Sequence, residues 1–96
     1  MSERIDIGGG HEIEYVGYAG EEKVAINDYH KRPDNGQPCQ GFVSFTGKGW
    51  SNEFKGSPGH QSWDVVSWDP LTLTPSLLCR SCGDHGHITN GRWVKA

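Results

Sequence analysis

The stretch Cys79-Arg80-Ser81-Cys82-Gly83-Asp84-His85-Gly86-His87 concentrates the residue types that can do chemistry. Two thiolates at C-x-x-C spacing can hold one metal ion from a single tight turn, and the histidines that follow offer imidazole nitrogens to the same ion. Gly83, directly after the second cysteine, supplies the backbone freedom such a turn needs. Zinc fits this crowding, because it takes four tetrahedral ligands of sulfur and nitrogen. One cysteine pair cannot saturate it. Cys39 is the remaining thiol and His85 stands three residues after Cys82, so Cys39, Cys79, Cys82 and His85 form the expected ligand set. His30 competes for the histidine place, since the turn-rich stretch from His30 to Cys39 can present both groups. His87 fits less well on its hairpin, and His60 lies in a glycine-rich loop.

Other chemistries need more than the chain offers. Buried free thiols are the plain alternative to a metal site. A redox dithiol at Cys79 and Cys82 would open a helix in a βαβ setting, which the pattern here does not suggest. A nucleobase deaminase needs His-x-Glu upstream of its cysteine pair, and His11, His30 and His60 lack a Glu at that spacing. Asp84-His85 resembles the start of a nuclease motif, yet a hairpin follows where that motif needs a helix. A zinc hydrolase would need an open metal position and a base, for which Asp84 is the adjacent candidate. The residues favour a structural site over a catalytic one.

The elements that must position these residues are strands. His11-Glu12-Ile13-Glu14-Tyr15-Val16 alternates polar and apolar, and Lys23 to Asn27 is a second short strand. Asp28 to Gln40 reads as a long polar connection, with Pro33, Asp34-Asn35-Gly36 and Pro38 supplying turn chemistry. Gly41 to Thr46 is rich in aromatic and β-branched residues, and Ser62 to Trp68 reads likewise. Leu71 to Leu73 and Ser76 to Leu78 are short extended pieces around Pro75. His87-Ile88-Thr89 and Arg92-Trp93-Val94 flank Asn90-Gly91, the strongest short hairpin signal. No helical stripe and no internal repeat emerge. The expectation is a mostly β, small antiparallel zinc-stabilised domain ending in a zinc knuckle and hairpin. It occupies residues 1–96 as one unit, with residues 1–10 as an extended arm.

Composition makes a staple valuable. Of 96 residues 14 are glycine and 33% are hydrophobic, which leaves little for a core. A structural zinc compensates, because its binding free energy becomes folding free energy. Three cysteines cannot form a closed disulfide set, and no apolar run follows Met1, so reduced thiols without export by a signal peptide are expected. No run approaches a membrane span. Net charge is −3, with Glu3, Asp6, Glu12, Glu14, Glu21, Glu22 and Asp28 crowding the first third. Neither part forms a polybasic surface, so nucleic acid is not an expected partner. Trp50, in a loop beside Gly49, is the candidate anchor for a protein interface, the other tryptophans being read mainly as core.

The run Leu71-Thr72-Leu73-Thr74-Pro75-Ser76, followed by Cys79, Cys82-Gly83-Asp84-His85, Ile88 and Gly91-Arg92-Trp93, resembles a family of small proteins from bacteriophages and prophages. That family carries Thr-Leu-Ser-Pro-Ser, then Cys-x-x-His, then an Ile…Gly-Arg hairpin. The resemblance covers about the last third of the chain, which departs at Thr74 and in having one upstream cysteine. It implies a zinc site that uses Cys82 and His85, and a phage origin. The expected function is then a non-enzymatic structural or assembly component of a virion or another oligomer. An effector binding a host protein is the alternative, and a zinc-dependent hydrolase or nuclease the second. Expected partners are phage structural proteins, a host protein or further copies of the chain, in the host cytoplasm or the virion.

Overall fold

The structure, a computed structural model, describes residues 3–18, 20–48 and 62–96. Trp50 and His60 lie outside the described residues. Every regular element described is a strand, and no helix among them is long and apolar enough to cross a membrane. Strands β1 (Arg4–Gly8), β2 (His11–Tyr18), β3 (Glu21–Lys31) and β4 (Pro38–Ser44) form an antiparallel sheet in chain order. Strands β5 (Asp64–Trp68) and β6 (Leu71–Thr74) pair as a ribbon. Strands β7 (Leu77–Leu78), β8 (His85–Thr89) and β9 (Arg92–Lys95) make a third sheet, also in chain order.

Alternation explains which side of the first sheet is inside. Along β3, Val24, Ile26, Asp28 and His30 are all buried. Their neighbours across the ladder are Val43 opposite Ile26, Gly41 opposite Asp28, and Cys39 opposite His30. On β2, His11 and Ile13 are buried at alternate positions. The inner face therefore has two ends. Ile13, Ile26, Val43 and Phe45 form its apolar end and merge with Leu71, Leu73, Leu77 and Ile88 into one core cluster. His11, Asp28, His30 and Cys39 form its polar end, and the site lies there.

Two local readings change. Residues 28–40 are no long connection: β3 continues to Lys31, β4 begins at Pro38, and the turn between them is closed by bonds from Arg32 N to Gln37 O (2.8 Å) and Gly36 N to Arg32 O (2.9 Å). Nor do residues 4–8 form an arm, since β1 pairs with β2 from Arg4 opposite Glu14 to Gly8 opposite His11. The Asn90-Gly91 hairpin is present, with φ of 51° and 73° as a primed turn requires.

Trp93 locks the third sheet to the first. Its ring lies over Gly86 and Gly9, where an added Cβ would come within 2.5 and 2.6 Å of the indole. Gly86→Ala should therefore destabilise the fold by about 1–3 kcal/mol, the usual cost of overpacking. Gly41→Ala, where nothing lies within 4 Å and φ is ordinary, should be neutral or slightly stabilising. Urea titration of both variants checks the contrast, and equal midpoints would refute the packing of Trp93.

Candidate metal centre

The cross-strand pair supplies the first two donors. His30 and Cys39 sit directly opposite on β3 and β4, with Cβ atoms about 4.5–5.5 Å apart in such a pair, so both reach one point above the sheet. The other two come from the turn between β7 and β8. There Gly83 N donates to Cys79 O (2.7 Å) and Cys79 N to Asp84 O (2.8 Å), while Gly83 takes φ of 80°. This tight loop turns Cys79 and Cys82 toward the same point. Arg32 ties the two segments together, donating to the Ser81 carbonyl at 2.9 Å and holding Asp34 through two bonds of 3.0 Å.

The four donor atoms lie within 4.8 Å of one another. His30 Nε2 is 3.3 Å from Cys82 Sγ, and the sulfurs of Cys39 and Cys79 are 3.6 Å apart. A tetrahedron with metal–sulfur bonds of about 2.3 Å has edges of roughly 3.7 Å. The spacing is thus that of a ligand shell, and the cluster could hold a metal ion.

Electrostatics point the same way. Burial pushes Cys39 up, and the neighbouring thiols push it further, to about 11. Burial also works against ionising Cys79, but the backbone N–H groups of Cys82 and Ser81, with the neighbouring thiols, bring it down to about 7. Cys79 therefore ionises before Cys39. Three thiolates crowded together repel one another, and a central cation removes the conflict.

Of the expected set, the structure brings together Cys39, Cys79 and Cys82, and the histidine that clusters with them is the competitor His30, with His85 outside the group. His85 opens β8 on its exposed side and bonds Ser76 Oγ at 2.8 Å. The turn ends at Asp84, so the strand alternation that begins at His85 carries its ring away from the sulfurs. His87 is exposed on the same strand.

Behind the cluster stands a buried polar chain that the sequence reading did not assemble. His11 is 2% exposed, with Nδ1 2.7 Å from Asp28 Oδ1 and Nε2 2.8 Å from Asp84 Oδ2. Burial disfavours its charged form, but the two carboxylates outweigh that and its pKa is raised. Both ring nitrogens face acceptors, so His11 is an imidazolium donating twice. Its ring stacks between Trp93 (centroids 3.7 Å apart) and His30 (4.8 Å). His11, Asp28 and His30 also form a second compact donor group. With both nitrogens of His11 engaged by carboxylates, hydrogen bonding and not a second ion explains it.

Asp28 then has a definite task. His30 Nδ1 is buried without a hydrogen bond, and Asp28 Oδ1 lies 3.5 Å away. Were Nε2 to hold a metal, Nδ1 would carry the proton, and Asp28 Oδ1 is the nearby carboxylate oxygen that could accept it on a small closure and so aim the ring. No protein-family model, curated protein or solved structure matches the chain, so this geometry carries the argument.

His30→Ala should abolish tight metal binding while His85→Ala leaves it intact. Asp28→Asn should weaken it by about 10–100-fold, the usual loss for a partner behind the ligands. Competition against a chromophoric chelator measures all three. Loss in His85→Ala with retention in His30→Ala would reverse the assignment.

Proposed function

We propose that the chain is a zinc-stapled β domain that acts by binding, with no chemistry of its own at the metal. The observation that carries this is the closed donor set: three sulfurs and one imidazole nitrogen around one point. Three thiolates with one histidine are a structural zinc set, whereas catalytic zinc keeps a position open for water or substrate. Soft sulfur donors favour zinc over magnesium, calcium or manganese.

Energetics support a structural role. Zinc-finger peptides gain about 10–16 kcal/mol from zinc at neutral pH. A whole domain is stable by about 5–15 kcal/mol. The ion would join β3 and β4 to the turn between β7 and β8, beside the Arg32 contact to Ser81 and the bond that ties His11 of β2 to Asp84. Elemental analysis should find about one zinc per chain. A strong chelator should unfold the domain, and added zinc should refold it. Cys79→Ser or Cys82→Ser should lower the melting temperature sharply, whereas an unchanged melting profile would remove the structural role.

We further propose, on the motif likeness alone, that what the domain binds is a phage structural protein or further copies of itself during assembly. A host protein is the alternative partner. Co-sedimentation of the zinc-loaded chain with intact particles supports the first, and a strictly soluble, monomeric chain after particle removal overturns it.

A further inference from the structure

Strand β4 ends the first sheet and β7 begins the third, so each has an edge that no described strand covers along its length. Residues of both edges line one cleft of about 250 Å³. Cys79 lines it, with its sulfur 3.6 Å from that of Cys39, and the buried polar group of His11, Asp28, His30 and Asp84 forms part of its wall. Trp63 lines it as well, its indole donating to the Ser76 carbonyl at 3.1 Å.

Ladder register says which backbone groups point into the cleft. Phe45 N donates to Val24 O, so that pair is hydrogen-bonded, and alternation makes Val43, Gly41 and Cys39 the β4 residues bonded to β3. The residues between them aim their N–H and C=O the opposite way. Ser44 does so, its carbonyl accepting from Trp63 N at 2.9 Å. Gln40, in phase with Ser44, presents its backbone groups to the cleft. Side chains complete the surface. Phe42 and Leu78 stand on its two lips, 50% and 54% exposed, with Leu77 and Trp63 deeper. Arg80 lies at the mouth, with no hydrogen bond or ion pair among the described residues.

We propose that this cleft takes an extended peptide segment of a partner protein. Its main chain pairs with the β4 edge at Gln40, one large apolar side chain enters between Phe42 and Leu78, and an acidic residue sits beside Arg80. A strand edge is matched by main-chain donors and acceptors in extended form, the β-augmentation mode. The inference deepens the binding role proposed above and rests on it.

The test uses the zinc-loaded full chain and a displayed library of random dodecapeptides. Enriched peptides should share one large apolar residue flanked by an acid, without helical periodicity. A synthetic copy should shift the Gln40 amide resonance. Gln40→Pro removes the donor facing the cleft while sparing the β3 ladder, and edge strands tolerate proline. It should weaken binding at least tenfold, as should Leu78→Glu. Arg80→Glu should switch the flanking preference from acidic to basic. If Gln40→Pro fails to fold, the two exposed-site variants decide alone. The proposal is overturned by no enrichment, by helical periodicity in the selected peptides, by unchanged affinity in these variants, or by a Gln40 amide already protected from exchange in the free chain. A chain that holds no zinc refutes the preceding reading, whereas a zinc-loaded chain that selects no peptide refutes this one alone.

Discussion

The polar end of an otherwise buried sheet face is the constraint on which this structure turns. A strand face that runs from Val24 and Ile26 into Asp28 and His30 must satisfy its polar atoms where water is scarce. The chain does so by bringing opposite charge and hydrogen-bond partners from elsewhere. Asp84 and the two turn cysteines come from the C-terminal region, Cys39 from the neighbouring strand, and His11 from the strand on the other side. The contacts that join the C-terminal region to the first sheet at this end are therefore largely polar, with the Trp93 ring stacked on His11 as the aromatic exception.

Charge balance explains why His11 belongs to the arrangement. A divalent ion held by three thiolates would keep one net negative charge, and Asp28 and Asp84 stand close behind the cluster. An imidazolium between those carboxylates would offset part of that excess, while the Arg32 charge on the outer side is balanced by Asp34. Stacking on Trp93 places the cation against the negative face of an indole. Removing a single member leaves a buried charge uncompensated, which costs more than the intact pair contributes. Such a network makes the polar end specific for one arrangement as well as stable.

Much of the fold was legible in the sequence. Alternation located β2, the Asn90-Gly91 dipeptide located the β8–β9 hairpin, and C-x-x-C-Gly located the turn that carries two sulfurs. The miss at residues 28–40 has a physical cause. Asp28 and His30 continue the inward phase of Val24 and Ile26, but their polarity hides the strand from any hydrophobic pattern. Recognising that strand is the same step as placing His30 beside the sulfurs, because the hairpin sets it opposite Cys39. The even spacing of Val24, Ile26, Asp28 and His30 was the available signal. His85 misled by nearness in sequence. Three residues past Cys82 it already belongs to a strand whose alternation turns it outward. His11 and Asp84 could not be paired from sequence, since 73 residues separate them and only the assembled sheets bring them to 2.8 Å.

Metal centre and cleft share their supports. Cys39 begins the β4 edge that Gln40 continues, and Cys79 directly follows Leu77 and Leu78 of β7. An ion gripped by both cysteines would hold the two edges at one separation beside them, and the Trp63 bond to Ser76 adds a second tie. Since ordering a binding surface is a cost that a partner must otherwise meet, edges held in advance raise affinity without any added contact. A small domain with few apolar residues has little hydrophobic area to offer a partner. What the proposed cleft would offer instead is rigidity: a strand edge, the exposed side chains of Phe42 and Leu78, and the Arg80 guanidinium, which has no ion pair among the described residues.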